Sequence, residues 1–152
     1  MVSLNLSGLT KTDINMVLGS WESINNDEAS SIFYRELFNT YPDTKSLFVK
    51  FYSVDNDKLI DNPAALKQLR VTWTAITTLI DYLKKGRIDE ANKAIDYLIE
   101  KHRKIKTFQG PMFNMALEPL LYLVKEKLTS QAYIDAYKKV FGAIFLTIIS
   151  KY

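Results

Sequence analysis

The chain has 152 residues, 47% of them apolar and 24% charged, with a formal net charge of +3. That is enough for one globular unit, 1–152, with a substantial core, and too little charge to argue for nucleic acid. The absence of cysteine excludes disulfides, thiolate chemistry and a thioether-linked cofactor.

Helical periodicity runs through the chain, and no segment shows the period-2 alternation of a strand. Thr10-Lys11-Thr12-Asp13 reads as a capping box opening a first helix that carries Ile14, Val17, Leu18 and Trp21. A second helix starts near Asn26–Glu28 and carries Phe33, Tyr34, Leu37, Phe38 and Tyr41 until Pro42 stops it. The stretch 43–61 is polar and irregular, a corner of short turns interrupted by Phe48 and Phe51. Asn62-Pro63 opens a long third helix with the stripe Leu66, Leu69, Trp73, Ile76, Ile80 and Leu83, closed by Gly86.

The segment Ala91–Lys104 is the next helix and carries His102, one turn after Leu98 on the same face. Gly110-Pro111 separates it from a helix running to about Lys127, in which Pro119 must either kink the chain or displace the helix start. A last helix, from about Ser130 to Tyr152, turns Ala136, Val140, Phe141, Ile144, Phe145, Ile148 and Ile149 inward. The expected fold class is therefore all-α.

The first eight residues lack the apolar stretch of a signal peptide, and the most apolar segment, 141–149, is about half a membrane span. A cytoplasmic protein with no membrane partner is expected. The basic runs Lys84-Lys85-Gly86-Arg87 and Lys101–Lys106 read as solvated helix ends, not as a nucleic-acid surface.

No phosphate-binding glycine loop, H-E-x-x-H, G-x-S-x-G elbow or EF-hand loop occurs; Asp55-Asn56-Asp57 lacks the glycine and distal glutamate of a calcium loop. His102, the one histidine, cannot build a zinc site, which needs three or four protein ligands. A neutral imidazole on an inward helix face can hold an iron whose in-plane ligands come from a macrocycle. Alone, such a histidine is more often a packed or surface residue than a ligand.

The ordered set around it is more specific. The segment 33–48, with Pro42 and Phe48 six apart, resembles the globin second helix, its proline corner and the phenylalanine that stacks on haem. Asp61-Asn62-Pro63, Gln68 and the Trp73–Leu83 stripe are similar to the distal helix. Leu98 and His102 match the leucine and proximal histidine of the globin family, and Phe108 and Phe113 follow where apolar residues meet the porphyrin edge. The resemblance covers nearly the whole chain and implies a globin fold of about seven or eight helices.

It also implies haem b (iron protoporphyrin IX), with His102 on the iron and its other ring nitrogen on a backbone carbonyl. Phe48, Phe51, Gln68, Val71, Thr72, Leu98, Phe108 and Phe113 would line the cofactor, and Lys101, with Lys50 and Lys106, would stand near its propionates. The family's distal histidine position falls on Gln68, and Tyr34 is the second-helix residue that points at the gas. Both can donate a hydrogen bond to O2. A Tyr/Gln pair resembles the distal pockets of some invertebrate, notably molluscan, haemoglobins. Thr72 stands where the family more often has valine.

With one histidine, a second imidazole is not available within this sequence, so a five-coordinate ferrous haem open to O2, CO and NO is expected. Reversible O2 binding for storage or transport, without enzymatic activity, is the leading reading. Haem redox chemistry (NO dioxygenation, nitrite reduction, weak peroxidase activity) and gas sensing are the alternatives. Globins often pair through exposed helices, so a homodimer is compatible with the resemblance, but no surface for it stands out.

Overall fold

A computed structural model describes residues 3–152; Met1 and Val2, part of the segment read above for a leader, lie outside the described residues. Six α-helices and four 3-10 stretches account for the regular structure, with no strand among the described residues. The α-helices are α1 (Lys11–Ser20), α2 (Asp27–Thr40), α3 (Pro63–Lys84), α4 (Ile88–Arg103), α5 (Leu117–Leu128) and α6 (Gln131–Lys151).

Local chemistry sets most of the boundaries. The side chains of Thr10, Asn26 and Asn62 accept from the backbone N–H three residues on, capping α1, α2 and α3. Pro63 takes the first position of α3, where a missing N–H has no consequence. Gly86 ends that helix with φ +67°, a conformation other residues reach only with strain. Helix α4 has Asp89 and Glu90 in its first turn and Lys101, His102 and Arg103 in its last, in line with the helix dipole.

Three boundaries differ from the sequence reading, the first being α4, which begins at Ile88 rather than Ala91. Trp21 lies in a 3-10 turn, Trp21–Ile24, past the end of α1, yet it is fully buried. The helix expected after Gly110-Pro111 begins only at Leu117, preceded by the 3-10 stretch Gly110–Ala116. Pro119 is thus the third residue of α5, inside the first turn where no backbone donor is required. It displaces the helix start and makes no kink.

Helix α1 packs on α6, α2 on both α3 and α5, α3 on α4, and α5 on α6. Trp21, Phe38, Leu69, Ile95, Leu123, Tyr137 and Ile148 are among the fully buried side chains that join these helices into one core. Of the inward set on α6, Phe145 and Ile149 are only partly buried. No described helix is long and apolar enough to cross a membrane. The two basic runs fall at the α3–α4 turn and the end of α4, both exposed chain ends of helices.

Candidate functional site

Packing of α2 against α3 brings Tyr34 and Thr72 together across 38 residues of sequence. Their hydroxyl oxygens are 2.5 Å apart, and the Gln68 amide donates to both, at 3.3 Å each. Gln68 and Thr72 reach the same partner because they are four apart on α3 and share a face. Tyr34 is 4% exposed, and burial pushes its phenol up, against the opposing effect of its bonds to Thr72 and Gln68.

An aromatic wall adjoins this cluster. Tyr34 meets Phe48 edge-on at 5.8 Å, Phe48 stacks on Phe51 at 5.3 Å, and Phe38 touches both phenylalanines. The corner carrying Phe48 and Phe51 is pinned by Lys45, whose ammonium donates to the Val54 carbonyl and lies over the Phe38 ring. Phe38 reads in the sequence as one member of a helix stripe, and nothing there marks it as a support of this wall.

His102 is half-buried on α4. Its Nδ1 is 2.8 Å from the Leu98 carbonyl one turn back. A carbonyl only accepts, so in the neutral ring the proton belongs on Nδ1 and Nε2 keeps a bare lone pair. Burial pushes the imidazole pKa below its ordinary value, with the carbonyl contact opposing, and so favours the neutral ring. Among the described residues Nε2 has no hydrogen-bond partner. The rings of Phe113 and Phe108 contact the imidazole at centroid distances of 4.7 and 4.9 Å.

Tyr152, which the sequence reading left without a role in the site, packs on both phenylalanines, and its hydroxyl donates to the carbonyls of His102 and Phe108. Only a ring at the end of an apolar helix could have signalled it.

Two of the expected cofactor contacts, Val71 in the lining and Lys101 near the propionates, face solvent. Val71 is 55% exposed: one step from Thr72 is about 100° of helix rotation, enough to carry it out of the Tyr34–Gln68–Thr72 cluster to the solvent side. Lys101, likewise one step from His102, is exposed and holds its ammonium 5.2 Å from the Tyr97 ring. Lys50 and Lys106 are also exposed. Two surface clefts, of about 330 and 340 Å³, lie elsewhere, one around Arg70 and Trp73 and the other around Tyr41 and Glu118.

The globin family model matches residues 31–148, more than three quarters of the chain. The chain belongs to the globin family. Among solved structures, this globin is similar to a hexacoordinated heme protein from an anhydrobiotic tardigrade, with a TM-score of 0.84 and 20% identity over 93% of this chain and 94% of that one. It is also similar to the hemoglobin of the botfly Gasterophilus intestinalis, with a TM-score of 0.80 and 16% identity over 94% and 98%. At such identities the likeness is one of fold. No curated protein sequence matches this globin.

The donor set suits a haem better than a metal held by protein alone. Among the described residues no cluster of three or more His, Cys, Asp or Glu side chains could hold a metal ion. One neutral imidazole with a free Nε2, beside the rings of Phe108 and Phe113, calls for a cofactor that supplies the remaining ligands and a flat apolar surface.

Proposed function

We propose that this globin binds haem b through His102 and uses it to bind O2 reversibly, as a storage or transport protein of the cytoplasm and without enzymatic activity. The supporting observation is the His102 ring itself. Its Nδ1 is committed to the Leu98 carbonyl, its charge is disfavoured by burial, and Nε2 is left as a ligand atom. Phe48, Phe51, Leu98, Phe108 and Phe113 would form the apolar surroundings of the macrocycle, with exposed Lys101 able to reach a propionate. Val71 would serve at most at the solvent edge.

When bound, the haem supplies a ferrous iron with one position open to O2, CO or NO. Gln68 and Tyr34 would turn N–H and O–H donors toward the gas from a largely buried setting, where a hydrogen bond counts for more than in water. With Thr72 they form a polar cluster against the Phe48 ring that would be the polar part of the gas pocket. The tardigrade relative is hexacoordinated, but this sequence contains no second histidine to occupy the sixth position. The ferrous haem is accordingly five-coordinate in this reading.

Titration of the purified chain with hemin, in parallel with a His102→Ala variant, tests it. The expected outcome is stoichiometric uptake by the native chain, a five-coordinate deoxy absorption spectrum, and loss of at least a hundredfold in hemin affinity in the variant. A native chain that refuses hemin, or a variant that takes it up equally well, overturns the assignment. A bis-histidine-like six-coordinate deoxy spectrum overturns the open position.

A further inference from the structure

The surface cleft of about 340 Å³ lies between the end of α2 and the start of α5 and has no part in the haem reading above. It is lined by Tyr41, Asn114, Leu117, Glu118 and Leu121. Pro42 bars a further helical turn, so Tyr41 leaves α2 with φ −128° and ψ 74° as its N–H closes the helix on the Leu37 carbonyl. Its side chain reaches α5, which packs on α2, and its hydroxyl donates to Glu118 Oε2 at 3.2 Å across 77 residues. The carboxylate holds the phenol above its ordinary pKa, so Tyr41 stays the donor and Glu118 the acceptor.

The lining discriminates by sign of charge. Glu118 keeps a second oxygen, Oε1, and Asn114 a side-chain amide, and among the described residues neither has a hydrogen-bond partner. The chain has 20 lysines and arginines, yet none of the described ones forms an ion pair with Glu118. Lys127 is held by Glu28, and Lys125 stands seven residues beyond Glu118, about 10 Å along the helix axis. The start of α5 does not favour an anion instead: the Leu117 N–H is bonded to the Asn114 carbonyl, and Pro119 has no N–H to offer.

The rest of the cleft is apolar. Leu117 and Leu121, four apart on one face of α5, are half-buried, as is Tyr41, and all three leave hydrocarbon surface in it. An oriented carboxylate and an amide carbonyl beside such a bed complement a cation with an apolar body. We propose that this cleft binds a small organic primary ammonium, with its N–H groups on Glu118 Oε1 and Asn114 Oδ1 and its body on Leu117, Leu121 and the Tyr41 ring. A volume of about 340 Å³ is at the small end of ligand sites and suits one ring with a short chain. An exposed ion pair alone is weak, so charge and apolar body are both required.

The test uses 2-phenylethylammonium as probe, titrated into the full chain and followed by calorimetry and by NMR of the Leu117 and Leu121 methyl groups. Where the chain holds haem, CO is added first, so that the iron gives the amine no competing site. A dissociation constant of about 1 mM is expected, with shifts at both leucines. Glu118→Gln keeps the shape of the side chain without its charge and should weaken binding about fivefold. Leu121→Ala should weaken it about threefold, and 2-phenylethanol, the same body without the charge, about fivefold. Asp27→Asn, in the other cleft, should leave it unchanged.

Absence of saturation below about 10 mM, equal binding of 2-phenylethanol, or an unaltered constant in Glu118→Gln each overturns the proposal. Self-association of the native chain in sedimentation, abolished by Glu118→Gln, overturns it as well, because a lysine of a second copy would then fill the cleft.

Discussion

Two buried tyrosines, one at the seam of α1 and α6 and one between α2 and α3, each meet a hydroxyl and end in opposite situations. Tyr137 lies 2.8 Å from the Ser20 oxygen, and Ser20 donates onward to the Met16 carbonyl at 2.6 Å. Since Ser20 has spent its only proton, Tyr137 must be the donor, and the chain closes on the backbone with nothing left over. Tyr34 meets Thr72 at 2.5 Å, but among the described residues Thr72 donates to no carbonyl, and a third polar group, Gln68, adds two further hydrogens. A closed chain holds helices together; an open one leaves a hydroxyl proton without a fixed acceptor. Burial raises both phenols, so the difference between them lies in where the protons can go.

The largest expected effect is at the open cluster. The combined Tyr34→Phe, Gln68→Leu variant should lose O2 roughly a hundredfold faster than the native chain in stopped-flow displacement, as one buried and one half-buried donor are removed. Gln68→Leu alone and Tyr34→Phe alone should each account for about tenfold. Rates untouched by both changes would show that neither side chain faces the ligand, and the contrast with Tyr137 would lose its functional meaning.

The closed chain makes a different prediction, read in alkali. Burial among α1 and α6 side chains pushes the Tyr137 phenol up to about 12, so the folded protein keeps it neutral where the unfolded chain ionises it near 10. The unfolded state then binds fewer protons, and stability falls as pH rises. The contribution is full below pH 10 and is lost as pH climbs through about 12, amounting to roughly 2–3 kcal/mol. Urea unfolding of the apoprotein should show a steeper alkaline decline for the native chain than for Tyr137→Phe. Parallel declines would mean that the phenol is solvated or opens without unfolding.

How much of this was legible in the sequence follows the reach of each contact. The helix starts at Thr10, Asn26 and Asn62, the Gly86 stop and the His102–Leu98 pairing all act within three or four residues, and sequence spacing exposes them. The globin fold followed from an ordered set of such local signals. Pro119 was ambiguous because a proline suits either a kink or a first turn, and only the packing of the preceding 3-10 stretch decides between them. The Tyr34–Thr72 bond spans 38 residues and depends on how α2 crosses α3, which no pattern in either helix specifies. The outward placement of Val71 was within reach of a helical wheel, since Thr72 and Gln68 already define the inner face.

A third tyrosine provides the smallest effect and the sharpest control. The Tyr152 hydroxyl donates to two backbone carbonyls, of His102 and Phe108, so like Tyr137 it is closed and structural. Its side chain lies so near Gly110 that an added Cβ would come within 3.1 Å of its Cβ and two ring carbons, and Arg103 reaches the backbone carbonyls of Lys151 and Tyr152. Tyr152→Phe removes only the two long hydroxyl bonds and should cost about 0.5–1 kcal/mol in apoprotein unfolding. Gly110→Ala pushes the ring away from Phe113 and should cost about 1 kcal/mol or more, through overpacking and not through backbone strain. The two changes should be non-additive, because the displaced ring can no longer place its hydroxyl on both carbonyls. If they add independently, Tyr152 is a bystander at the end of α6, and the His102 side of the pocket is held by α4 and its two phenylalanines alone.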